Sequence, residues 1–472
     1  MKASTYQRMR AARWGALEGL RESWLARALL GCIDLGRAFA RFRRGQLYLA
    51  LDSASRIGRV LRVPGLARIA CRLEERIWRQ TILDPQTGAP LPAAENRLVD
   101  DFRKGPAADS FRGGMNTWER LVNLGGELMM LKAPDLDTGE LGVVIIKYTP
   151  AFGRFAALYD LSRLFEHYQV VLEPSWIGYH DPILQLFTAR ERRVIVEAQF
   201  PEDEATLRAT GSNLVPVPFG AGHWVDPRNF HPLPESEKEY LGVLIANWAP
   251  HKRHHLLLDA LAKIDDPTAR IALVGYPWKE YTQERLHAEV RRRGLAGRVD
   301  FYERINRKEV NEVFNRSHAN LLISRKEGAS KILYEGLAAG TPCIVLDDHE
   351  GARPADINDR TGIRAPACDL DKALEMMRDE GHTFDPRGWW CENASPPVTT
   401  ERLEAALRDA ALAEGRPFTR GLALKTNDPN LTYIDPSSAD EFRASYEHLS
   451  TLLRPDEEIR GYRVRYQRPE DR

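Results

Sequence analysis

Residues 240–275 read YLGVLIANWAPHKRHHLLLDALAKIDDPTARIALVG. YLGVLIAN is an apolar run of buried-strand length, HHLLLDALAKI gathers its leucines on one helical face, and RIALVG is a second such run. A strand, a helix and a strand in that order need a crossover, and so a parallel sheet. The alternation continues. ERLHAEVRRRG is a helix ending at Gly294, RVDFYE a strand, RKEVNEVFNRS a helix and ANLLIS a strand. SKILYEGLAAG is a helix closed by Gly340, and PCIVLDD is a strand. This regularity predicts a doubly wound α/β domain over residues 240–380.

A first α/β unit precedes it. GVVIIKYT reads as a strand, PAFGRF as a loop holding Gly153, AALYDLSRLFEHY as a helix and QVVLEPS as the next strand. RRVIVEAQF and NLVPVPF are further strands, and the Pro-rich, polar stretch GAGHWVDPRNFHPLPESEKEY reads as the linker between two domains. Residues 81–140, rich in Pro, Gly and Asp, predict an irregular connection holding one helix around Trp118–Met130. The expected organisation is a basic helical extension over 1–110, a first α/β domain over 111–235 and a second over 236–400. Helices fill 401–472, and the last of them is expected to pack back on the first domain.

Lys plus Arg and Asp plus Glu both number 67, so overall charge gives no reason to expect a nucleic-acid partner. The balance is uneven, because residues 1–80 carry Lys2 and sixteen arginines against six acids. There Trp14, Leu17, Leu20, Trp24, Leu25 and Leu29 fall close to one helical face. Two readings stand: a helical subdomain packed on the body, or a basic amphipathic surface resting on anionic lipid. Five cysteines, an odd number without CxxC spacing, fit reduced thiols in a cytoplasm rather than a zinc site or a disulfide framework. No run of 18 apolar residues predicts a spanning helix, so the expected location is cytoplasmic, or peripheral at the inner face of the membrane.

The chemistry concentrates at SRKEGASKILYEGLAAGTP, residues 324–342. In an open parallel sheet, ligands bind beyond the carboxyl ends of the strands, where helix N-termini converge. Gly328, Ala329 and Ser330 are small enough for a diphosphate to approach the backbone, and the helix start offers free N–H groups to a phosphate. Glu327 in the loop would face ligand hydroxyls, and Glu335 lies five residues into the helix, roughly 7 Å deeper. Two carboxylates so spaced suit two grips on one polyhydroxylated ligand better than a general acid/base pair.

EGASKILYEGLAAGTPCIV resembles the E-x7-E segment of the retaining GT-B glycosyltransferases of family 4. The resemblance extends from Val215 to Leu374: VPFGAGHWVDPRNFHPLP is similar to that family's linker, and ANWAPHKRHHLLLDAL to its basic diphosphate-binding turn. It implies that Glu327 contacts the donor sugar, Glu335 the ribose, and Gly328, Ala329 and Ser330 the sugar and diphosphate through backbone donors. Lys252 matches the family's lysine, Asn247 stands where arginine is usual, Arg253 is the neighbouring cation, and Lys331 resembles a basic variant of polysaccharide-building members. Gly153 would lie in the glycine loop facing the donor phosphate, with the Gly113 pair as an alternative, and His180 would reach the acceptor.

The fold so implied is GT-B: two Rossmann-like doubly wound domains facing a cleft, with an additional N-terminal helical region. The implied activity is retaining transfer from a nucleotide-diphosphate sugar to a glycan or lipid-linked acceptor, with no cofactor and no metal. The DLD triplets at Asp135–Asp137 and Asp369–Asp371 lie in hydrophilic connections and are read as solvated. Two other readings remain: a non-catalytic GT-B scaffold, and a GT-B epimerase or phosphorylase.

Overall fold

The computed structural model describes residues 24–43, 57, 122–174, 182–188, 192–209, 211–278, 281–325, 327–349, 351–427 and 430–454. A first sheet has the order β1-β2-β3-β4-β5. Its strands are β1 (Leu128–Lys132), β2 (Gly142–Lys147), β3 (Tyr168–Glu173), β4 (Val194–Glu197) and β5 (Leu214–Val217). β1 runs antiparallel to β2, and the other pairs are parallel. Every residue of β2, β3 and β4 is buried, as expected of a sheet covered on both faces.

The second sheet comprises β6 (Gly242–Ile245), β7 (Ile271–Gly275), β8 (Val299–Glu303), β9 (Asn320–Leu322), β10 (Cys343–Leu346) and β11 (Gly362–Ala365). All its pairs are parallel, in the order β11-β10-β9-β6-β7-β8. Strand order reverses between β6 and β9, which opens a crevice at their carboxyl ends. The architecture is thus mixed α/β with two Rossmann-like sheets. Gly275 is required where β7 meets the β6 loop, because a Cβ there would stand 2.0 Å from the carbonyl oxygen of Ala246.

Two expectations are corrected. Within Trp118–Met130 the chain turns at Leu124, Gly125 and Gly126, with φ of 55°, 73° and 95°, and then enters β1. These left-handed residues interrupt a helix, and the LMML run gains more by full burial at a sheet edge. Within that stretch, the residues before Val122 lie outside the described residues. Gly153, expected in a loop, lies in the helix Thr149–Leu158. Pro150 sits in its first turn, and Phe152, Phe155 and Leu158 are buried. Burying those side chains outweighs the cost of one helical glycine, about 1 kcal/mol. A second helix, Leu161–His167, starts at Asp160, whose carboxylate accepts from the backbone N–H of Ser162 and Arg163.

The tail returns to the first sheet. Helices Pro396–Ala413 and Arg443–Ser450 deliver Leu403, Leu407 and Leu449 into the core that β2 to β5 build. Between these helices lies an antiparallel pair, β12 (Lys425–Asn427) and β13 (Leu431–Tyr433). Far upstream, the helix Trp24–Arg43 exposes Trp24, Leu35, Phe39 and Phe42. Among the described residues, no helix is long and apolar enough to cross a membrane.

Candidate active site

The crevice between β6 and β9 holds a pocket of about 150 Å³ whose polar lining includes Lys252, Ser324, Glu327, Ser330 and Lys331. Two crossovers meet there. Lys252 ends the turn Pro250–Lys252 after β6, and Glu327 sits in the loop after β9. Lys252 Nζ donates to Glu327 Oε1 at 2.5 Å, a pair formed across 75 positions of sequence. Ala329 also lines the pocket, with Gly328 between it and Glu327.

The neighbours of Lys252 point elsewhere. Asn247 Oδ1 accepts from the N–H of Ala249 at 3.2 Å and so caps its own loop, and Asn247 is not part of the pocket lining. Arg253 is left-handed, at φ 59° and ψ 34°. Its guanidinium runs to Asp348 Oδ1 at 2.9 Å and to the carbonyl of Ile323 at 3.3 Å.

The helix Lys331–Ala338 begins at Ser330. Lys331 Nζ donates to the carbonyl of Asn427 and lies 3.5 Å from Glu335 Oε1. Glu335 is not part of the pocket lining, and its side chain is only 1% exposed. Oε1 accepts from Arg307 Nη1 at 2.9 Å, while Oε2 is buried and has no hydrogen-bond partner among the described residues. His180 lies outside the described residues. Gly153 is packed in the first domain's helix and contributes nothing to this lining.

Sequence reasoning missed two residues that hold the loop from below. His349 is buried; its Nδ1 lies 2.7 Å from the carbonyl of Ser324 and must donate there, which leaves Nε2 to accept from the Ser330 hydroxyl at 3.4 Å. Burial pushes the His349 imidazole below its ordinary range, consistent with a neutral ring in that role. Gly351 has φ 141°, and a Cβ there would meet the Cβ of Glu327 at 2.7 Å. The only signal was position: both follow β10, at the carboxyl edge where ligand loops collect.

The first domain's wall is tied to this helix by β12. Lys425 Nζ donates to Glu173 Oε2 at 3.0 Å and Asn427 Nδ2 to Glu173 Oε1 at 2.7 Å, at the end of β3. The same ammonium lies 3.8 Å from the centroid of the Trp224 ring, whose Nε1 donates to Glu197 Oε1 at 3.0 Å. Burial, and next the charge of Glu173, push the Glu197 carboxyl well above the usual range. Burial pulls the Lys425 ammonium down. The linker is more than a spacer, because Gly222 packs so tightly on Tyr334 of the helix Lys331–Ala338 that a Cβ would lie 2.4 Å from its ring. Among the described residues, no group of three or more His, Cys, Asp or Glu is placed to hold a metal ion.

Residues 225–379 match the family described as Glycosyl transferases group 1. The N-acetyl-alpha-D-glucosaminyl L-malate synthase of Bacillus anthracis is 28% identical over 155 residues. That match covers 31% of this chain and 38% of the relative's length. Among solved structures, sucrose-phosphate synthase of Thermosynechococcus elongatus is similar at 18% identity and a TM-score of 0.43, over 57% of this chain and 74% of that one. Anabaena HepE, solved with UDP, is similar at 14% identity and a TM-score of 0.44, over 56% of this chain and 79% of that one. The second α/β sheet, its pocket and the matched sequence coincide, so the stretch similar to the glycosyl transferases group 1 family is the one that builds the site.

Proposed function

We propose that the chain is a retaining, metal-independent glycosyltransferase that moves a sugar from a nucleotide-diphosphate donor to a glycan or lipid-linked acceptor in polysaccharide or glycoconjugate synthesis. The observation that carries this reading is the convergence of Lys252, Glu327, Ser330 and Lys331 on one pocket at the strand-order reversal. The matched relative, by name a glucosaminyl L-malate synthase, supports sugar transfer.

Lys252, Lys331 and the helix start at Ser330 hold the diphosphate and stabilise the charge that develops on it as it leaves. Glu327 holds the sugar hydroxyls and Glu335 the ribose. The bond from the anomeric carbon to the diphosphate oxygen breaks, and the acceptor oxygen bonds that carbon from the same face. Its proton passes to the leaving phosphate, so the protein needs no separate base. The lysines supply the positive charge that a metal would otherwise bring.

A thermal-shift screen of UDP and GDP sugars tests this. One donor is expected to raise the melting temperature by about 2 °C or more at a hundredfold excess over its Kd. Turnover of that donor with acceptor is expected to be unchanged by EDTA, with the anomeric configuration retained. No shift with any UDP or GDP sugar sinks the reading, and product formed from donor alone favours an epimerase.

The helix Trp24–Arg43 supports the membrane reading of the N-terminal region. It exposes Trp24, Leu35, Phe39 and Phe42 and carries Arg37, Arg41 and Arg43, a pattern suited to the anionic inner face of a membrane. The protein is expected to co-sediment with vesicles containing phosphatidylglycerol and not with phosphatidylcholine vesicles. Equal sedimentation with both contradicts this.

A further inference from the structure

We propose that Arg307 is a positioning residue for Glu335: it occupies one oxygen of that carboxylate and leaves the other for the ribose hydroxyls of the bound nucleotide. The proposal rests on the donor reading above and concerns a residue outside every motif that suggested it.

Arg307 is the first residue of the helix Arg307–Asn315, which follows β8. A reciprocal cap fixes the start of that helix. The N–H of Glu309 donates to Asn306 Oδ1 at 3.1 Å, and the N–H of Asn306 donates to Glu309 Oε2 at 2.8 Å. From that anchored turn the guanidinium crosses to the neighbouring crossover. Its Nη1 reaches Glu335 Oε1 at 2.9 Å, and Lys331 Nζ lies 3.5 Å from the same oxygen.

Two cations therefore converge on Oε1. Among the described residues Oε2 has no hydrogen-bond partner, although the side chain is 1% exposed. A carboxylate oxygen kept from water without a donor is costly, and a bound hydroxyl removes that cost. Holding Oε1 also fixes the plane of the carboxylate, so Oε2 need not be ordered when ligand arrives. The guanidinium is itself one-third exposed, at 35%. Arg307 thus runs from a partly exposed position to the buried carboxylate.

The test compares UDP and GDP with their 2′,3′-dideoxy counterparts by calorimetry. The unmodified protein is expected to prefer one ribonucleotide over its dideoxy form by about tenfold or more. Arg307→Ala is expected to weaken the ribonucleotide by about tenfold while leaving the dideoxy form unchanged, so the preference falls to near one. Glu335→Gln serves as the comparison and loses the same preference, while Arg307→Lys restores part of it. Equal loss for both ligands in Arg307→Ala makes Arg307 a general charge or folding residue and overturns the proposal. A preference that survives in Arg307→Ala overturns it as well. If the unmodified protein binds nucleotide without any ribose preference, the positioning role fails and the donor reading stands. If it binds neither UDP nor GDP, the donor reading itself fails and takes the role with it.

Discussion

Glu327→Ala is expected to lower kcat/KM for the nucleotide-sugar donor by about 10²–10³-fold while leaving the melting temperature nearly unchanged. The two halves of that expectation have separate causes. Glu327 lies in a loop, its side chain 27% exposed, and its partner Lys252 is 17% exposed. A pair so placed contributes about 1 kcal/mol or less to folding, since water competes for both ends. On the proposed reading the same carboxylate does two jobs, orienting the Lys252 ammonium and gripping the sugar. Glu327→Gln separates them, because the amide still meets hydroxyls but no longer pairs with a cation. A large deficit in Glu327→Ala with a smaller one in Glu327→Gln places the weight on the sugar grip. Unchanged kcat/KM in Glu327→Ala contradicts its placement at the reacting end.

Lys425→Met is expected to show the largest loss of stability, about 3–5 kcal/mol near neutral pH. Lys425, Glu173 and Glu197 are each at most 1% exposed; the Lys425 ammonium donates to Glu173, and its charge also acts on Glu197. Removing it leaves buried carboxylates without their cation, whereas methionine fills a similar volume. The pH dependence follows from Glu197. Its folded value is raised above the unfolded one, so its contribution is present at low pH and is lost as pH rises through the folded value. Without Lys425 that loss deepens, and the deficit of the variant is expected to be smaller at pH 5 than at pH 8. Urea midpoints of both proteins at the two values check it. A deficit below about 1 kcal/mol, or one independent of pH, rules out the uncompensated-charge account. The effect should extend to the helix Lys331–Ala338, because the carbonyl of Asn427 in the same strand holds Lys331.

The second sheet was legible because strand, helix and strand follow one another at short range, and each period shows in ten or so residues. Glu327, Lys252, Ser330 and Lys331 were legible for the same reason, each lying where a strand gives way to a helix. Their neighbours were not. Asn247 and Arg253 sit in the right turn, yet one left-handed residue and one side-chain cap turn them away. Gly153 looked like a loop because glycine punctuates sequence, but the aromatic residues around it needed a helical face. Arg307, His349, Gly351 and Lys425 act through partners 19 to 252 positions away, or through backbone contact, and no local pattern carries such pairings.

The return of the tail has a consequence for synthesis. On the ribosome, all six strands of the second sheet emerge from one continuous stretch, residues 242–365, and can assemble as soon as it is out. The first sheet emerges earlier but lacks Leu403, Leu407 and Leu449, which close its core. The half translated first is completed last, its apolar face open while nearly two hundred residues are still being added. A premature stop before Pro396 therefore leaves a folded second sheet joined to an unfinished first one, which is the species chaperones would hold.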